Sequence, residues 1–224
     1  ANETTAELSL TGHIAITDTG FVINDTTGGY NTSGVTYIYA AFAGSYSDYI
    51  TDYNTDGSID SRVKANDTTG FSIVSYTGTG ANATIGHGLS SAPDMVIVKS
   101  RDSAVRNWPV WHTGLSSASH FVYLNLTNGE NTPATAFWTS APSSTVLNLG
   151  SNVQTNESAN GYIAYCWAEK TGYSKFGTYT GNGSSTGPTV TTGFKPAFVM
   201  IKRTNSTGNW IMLDNTRDVT NEID

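Results

Sequence analysis

One cysteine, six prolines and eleven basic residues in a chain of 224 remove several classes of protein at once. Cys166 has no partner for an intrachain disulfide, which excludes a disulfide-stapled scaffold. It sits in the apolar run from Tyr162 to Ala168 and reads as a packed thiol. A reactive thiol needs a basic or helix-terminal setting that the neighbouring residues do not offer. Lys and Arg number 11 against 18 Asp and Glu, for a formal charge of −7, and no basic patch is visible. Nucleic acid and anionic membrane surfaces require clustered cations, so neither is an expected partner. No apolar run approaches the length of a membrane span, and Ala1-Asn-Glu-Thr-Thr5 lacks the basic, apolar and small-residue succession of a signal peptide. The expectation is a chain without membrane insertion, either soluble or already processed. No segment keeps a helical period for ten residues.

What is present is Thr, Ser, Asn and Gly between short runs rich in Val, Ile, Tyr and Phe, the pattern of strands and their turns. Gly70-Phe-Ser-Ile-Val-Ser-Tyr-Thr-Gly78 carries apolar groups on both faces, as a strand inside a sandwich does. Seven strands are expected in one stretch of the chain: a (71–77), b (83–87), c (94–99), d (108–113), e (121–127), f (145–149) and g (162–169). The fold class is all-β with little or no helix.

The chain also contains itself twice, out of phase with its own ends. Asn2 to Glu7 reappears as Asn125 to Glu130, Val22-Ile-Asn24 as Val146-Leu-Asn148, and Tyr37 to Ala43 as Tyr162 to Ala168. Further on, Ser75 to Gly80 returns as Thr178 to Gly183, Pro93 to Lys99 as Pro196 to Lys202, and Asn107-Trp108 as Asn209-Trp210. Such self-similarity signals repeated architecture. Cutting before e gives two tandem copies, 1 to about 116 and 117 to 224. Cutting before a gives one intact unit, residues 70–169, of about 100 residues, the size of an ordinary β-sandwich. Residues 1–44 are then the C-terminal half of a unit (strands e–g), 45–69 a linker or insertion, and 174–224 the N-terminal half (strands a–d). The short connection Lys170 to Tyr173 between g and a, against the long one Gly44 to Thr69, favours the second framing. Unpaired strands in the two halves must find each other or another chain.

Gly70 to Gly80, His87 to Lys99, Tyr162 to Glu169 and Gly193 to Lys202 together resemble an uncharacterised β-rich repeat found in tail-fibre and other virion appendage proteins of marine bacteriophages. The resemblance covers nearly the whole chain. It implies repeated antiparallel β-sandwich units, jelly-roll or lectin-like, and transfers no catalytic or binding residues.

Candidate chemistry is sparse. Asp52-Tyr-Asn-Thr-Asp-Gly-Ser-Ile-Asp60 places oxygen-bearing side chains at the first, third, fifth and ninth positions of a calcium loop. Val63 stands where a bidentate acid belongs, so the string reads first as a tight turn leading into a strand, with calcium the alternative. His13, His87, His112 and His120 have no metal-ligand spacing, and no nucleophile motif is present. Glycosidases need two suitably spaced carboxylates. Glu7 and Glu130 match across the repeat, but no acidic pair stands out, Asp94 included. Trp108 with Trp210, Trp167 with Phe42 and Trp111 with Leu213 correspond and read as core. Trp138, Tyr46, Tyr49 and Tyr53 lack counterparts and are the candidates for an exposed glycan platform. Nine Asn-x-Ser/Thr sequons, from Asn2 to Asn205, are a mild excess that permits glycosylation.

The expected function is a non-enzymatic structural protein of a phage tail fibre, virion appendage or extracellular filament, assembling through complementary β-strands as a homo-oligomer or with other fibre proteins. No cofactor is expected. The alternatives are a receptor-binding module for host surface glycans and a tailspike-type glycan hydrolase.

Overall fold

The computed structural model describes residues 14–17, 19–24, 31–33, 35, 37, 41, 53–103, 105–134 and 136–216. The chain divides into two compact units, one of Glu7–Phe42 and one of Ala43–Asp224 with Ala1–Ala6. Glu7, His13, Phe42, Tyr46, Tyr49 and Asp52 lie outside the described residues. In the smaller unit, β1 (Ile14–Thr17) and β2 (Gly20–Ile23) form an antiparallel hairpin with Ile14 opposite Ile23.

In the larger unit the elements are β3 (Arg62–Asn66), β4 (Phe71–Thr77), β5 (Ala83–Gly86), β6 (Met95–Ser100), β7 (Pro109–His112), β8 (Val122–Tyr123) and β9 (Val146–Leu149), then α1 (Val153–Asn156), β10 (Gly161–Trp167), β11 (Phe198–Lys202) and β12 (Trp210–Asp214). Among the described residues the protein is all-β apart from the single turn α1. Strands a to g of the sequence reading appear as β4 to β10. Strand e is shortened to two residues because the side chain of Asn125, in place of a backbone carbonyl, accepts the Trp108 N–H at 3.0 Å.

Six strands form one antiparallel sheet in the order β3-β4-β10-β6-β7-β8. The last of its strands in sequence, β10, lies between two much earlier ones, with Cys166 opposite both Ser72 of β4 and Val96 of β6. Pleating sends alternate side chains to opposite faces. Tyr162, Ala164 and Cys166 of β10, with Val74, Tyr76, Val96 and Val98, therefore face one core. The β5–β9 pair covers that face with Ile85, Leu147 and Leu149. Burial pushes the Cys166 thiol up to about 12, as a packed hydrophobe requires.

The stretch expected as a linker contributes to this unit. β3 is the edge strand beside β4, and Ile59 is buried against β5 through a parallel bridge to Ile85. A Cβ on Gly57 would meet the backbone of Thr84 and Ile85, so the turn docks only because glycine stands there. Gly70, with φ +67°, ends the β3–β4 turn where a Cβ would strike the Ala168 carbonyl.

Polar groups close the open end of the core. Asn152 caps α1 by accepting the Gln154 N–H at 2.9 Å. The stacked rings of Tyr76 and Tyr162 donate their hydroxyls to the carbonyls of Thr155 and Val153, each at 2.6 Å. Asn156, fully buried, donates to Ala81 and Gly150 and accepts from Thr79. Its amide is thus committed to the core, and that sequon is closed to glycosylation in the folded chain.

His87 is buried and its tautomer is set by its neighbours. Nδ1 accepts the Leu89 N–H at 3.2 Å, so Nε2 carries the proton and donates to the Ser143 carbonyl at 3.1 Å. Desolvation lowers its pKa below the ordinary 6.5, and burial does the same to His112. A histidine with a depressed folded-state pKa binds its proton first in the unfolded chain, so stability is full above about pH 6.5 and falls as the pH drops below it. Denaturant titrations at pH 7.5 and 5.5 are expected to show this loss in the native sequence. His87→Gln is expected to be less stable at pH 7.5 and to lose less between the two pH values.

Candidate functional site

Two surfaces of the larger unit stand out, and the residues singled out from the sequence fall unevenly on them. Trp138 is not exposed: it is 2% accessible and packs in the main core. The segment around it runs antiparallel to β9, with Trp138 bridging Leu149 and the Thr139 N–H donating to Asn148. This corrects the expectation of an exposed platform, because a residue without a repeat counterpart can fill a gap between unlike loops as well as face solvent. Tyr53 is exposed, but the Arg62 guanidinium lies 5.0 Å from its ring centre and donates to its hydroxyl at 3.1 Å. In the calcium-like string, Asn54 accepts the Asp56 N–H and donates to the Asp56 carboxylate, both at 3.0 Å, and pairs with Ser61. That is an Asx turn closing a short hairpin, and Val63 lies in β3. Among the described residues no group of three or more His, Cys, Asp or Glu is placed to hold a metal.

The first surface is the β11–β12 hairpin. Its register sets Phe198 opposite Asp214 and Met200 opposite Met212. The β6–β7 pair sets Met95 opposite His112 and Ile97 opposite Val110. Shifting by the repeat offsets turns one register into the other. Side chains follow: Lys99 donates to the Arg106 carbonyl and Lys202 to the Gly208 carbonyl. The Thr113 N–H donates to Asp94, and the equivalent Asn215 N–H to Ala197. Burial lowers the pKa of both lysines. The surroundings differ. Val96, Val110 and Trp111 are 1%, 0% and 6% accessible, whereas their counterparts Val199, Met212 and Leu213 are 37%, 45% and 42%. β6 is flanked on both sides; among the described residues β11 and β12 form a two-stranded sheet. Trp210, at the start of β12, anchors the hairpin by donating its indole N–H to the Tyr123 carbonyl at 2.7 Å.

The second surface is a polar cleft of about 450 Å³ between the loop 128–131 and the β11–β12 turn 204–207, with Ser116 and His120 at its rim. The bridge between Phe121 and Asn131 sets His120 opposite Thr132 and brings Glu130 close. His120 Nδ1 lies 2.6 Å from Glu130 Oε1, and His120 Nε2 lies 3.0 Å from the Thr132 hydroxyl. The same carboxylate oxygen accepts from the N–H and hydroxyl of Ser116, both at 2.6 Å. Desolvation pushes the Glu130 pKa up, but the bonds from Ser116 and His120 outweigh it and the net direction is down. Hydroxyl, imidazole and carboxylate in this order have the geometry of an activated nucleophile. Thr132 does not line the cleft, whereas Ser116 and His120 do, and the Ser116 hydroxyl lies 3.0 Å from His120 Nδ1. The cluster also fastens the loop, whose Glu130 N–H donates to the Thr204 carbonyl at 2.6 Å and so holds the β11–β12 turn.

Sequence spacing did not single out this cluster. His120 carried no ligand pattern, and Glu130 was visible only as the match of Glu7; the bridge that joins them is a tertiary fact.

A family model described as "Domain of unknown function (DUF7483)" matches residues 48–224. No curated protein and no solved structure matches the chain.

Trp138→Ala is expected to cost about 3–5 kcal/mol of unfolding free energy, the usual range for deleting a buried aromatic, read by denaturant titration. An exposed Trp would lose almost nothing. Glu130→Gln is expected to lower the melting temperature at pH 7 by about 2–4 °C. The carboxylate's contribution is present above the ordinary value of 4.5 and is lost as pH falls through its depressed folded-state value. The difference between variant and native chain should therefore vanish in acid.

Proposed function

The chain belongs to the DUF7483 family, a membership that assigns no activity, and from its own surfaces we propose that it is a structural protein built from repeated β-sandwich units, one closed and one left open. Assembly through complementary strands is its work. The observation that carries this reading is the β11–β12 hairpin, which has the register and lysine bonds of β6–β7 but leaves exposed the apolar side chains that β6–β7 bury. Large exposed apolar surfaces beside an unpaired strand edge belong to interfaces or to aggregation.

The open half is residues 174–224 and its complement is residues 1–44, whose sequence repeats strands e to g. Joined end to end, such halves generate a ring or an open filament. A tail fibre, other virion appendage or extracellular filament is the setting that the motif resemblance supports, and a Thr-, Ser- and Asn-rich exterior suits a long assembled fibre.

Electron microscopy of the purified chain is expected to reveal filaments or rings. Deleting residues 1–44 is expected to abolish them while the far-ultraviolet β signature and cooperative unfolding of the remaining unit persist. Assembly unchanged by the deletion would exclude the proposal.

A further inference from the structure

The repeat supplies more than the fact of a joint, because the closed unit contains the finished version of it. Resting on the assembly reading above, we infer that residues 37–43 of a second copy add as an antiparallel strand to the edge of β11 that no described strand pairs, between β11 and residues 174–180, in the register that β10 takes between β6 and β4. Strand addition of this kind pairs the exposed backbone of an edge and places alternate side chains in waiting pockets.

The register follows from the matches already described. Tyr37 to Ala43 corresponds to Tyr162 to Ala168, and β11 to residues 95–99 of β6. Cys166 lies opposite Val96, and Trp167 opposite Met95. Ala41 is therefore set opposite Val199, and Phe42 opposite Phe198. On its other side β10 sets Tyr162 opposite Tyr76, and the two rings stack at 5.3 Å. The equivalent pair across the joint is Tyr37 and Tyr179. Both are exposed in the single chain, Tyr37 at 40% and Tyr179 at 50%.

A second copy is the occupant the chemistry fits. Ala41 matches the small Cys166, which the core beside Val96 accommodates, and Phe42 matches the large Trp167. Phe198, Val199 and Leu213 stand exposed at the receiving end, and Tyr37 and Ala41 at the giving end. The contact pairs unlike surfaces and leaves the linked pair with one of each still open, so it propagates.

The test mixes Ala41→Cys and Val199→Cys chains under mild oxidation, with Cys166 buried and its thiol held out of reaction. A disulfide-linked dimer is expected from the mixture, and a ladder of covalent oligomers from the double variant, on a non-reducing gel. Ala41→Cys with Met200→Cys, whose side chain alternates to the other face, is expected to give several-fold less. Filaments by electron microscopy with no 41–199 disulfide would overturn this register and leave the assembly reading standing. An internally linked monomer from the double variant, with no dimer from the mixture, would overturn the second copy in favour of closure within one chain. Monomers alone, with neither disulfides nor filaments, would overturn both.

Discussion

A strand edge has to be paired, and the whole of the larger unit is arranged around the way one strand meets that demand. β10 comes last in the six-stranded sheet yet sits between β4 and β6, satisfying both. Its small side chains, Ala164 and Cys166, let the core side chains of the neighbouring strands and of β5–β9 close over it. Had the chain stopped before β10, β4 and β6 would each present an open edge, and Val96 and Val98 an open face. Among the described residues, β11 pairs with β12 alone.

The polar closure at the end of the sheet depends on the same strand. Tyr162 of β10 and Tyr76 of β4 stack because they lie opposite each other, and their hydroxyls together hold the carbonyls of α1. Asn156 follows on that turn and ties the β4–β5 connection to it. A buried side-chain amide is costly without partners, and here its donors and acceptor are met.

The strands were legible because each is a short apolar run with turn residues at both ends, and pleating alone turns that pattern into a face and a back. β3 was less legible. Arg62-Val-Lys-Ala-Asn66 is polar, as an edge strand with one neighbour can be, and only its pairing with β4 makes it a strand. Trp138 was misread for a different reason: repeat matching identifies shared core positions, and it is silent about residues packed where the copies diverge. The Ser116, His120 and Glu130 cluster lay beyond reach because its members are scattered over a loop, and the bridge from Phe121 to Asn131 that unites them has no local signature.

The repeat was legible as sequence, but its meaning depended on energy. The matched pairs β6–β7 and β11–β12 share one register, and the difference in their burial goes with a difference in neighbours. Val110 and Met212 occupy equivalent places; one is sealed and the other is half exposed. At about 25 cal/mol for each Å² of apolar surface removed from water, covering such a face is favourable.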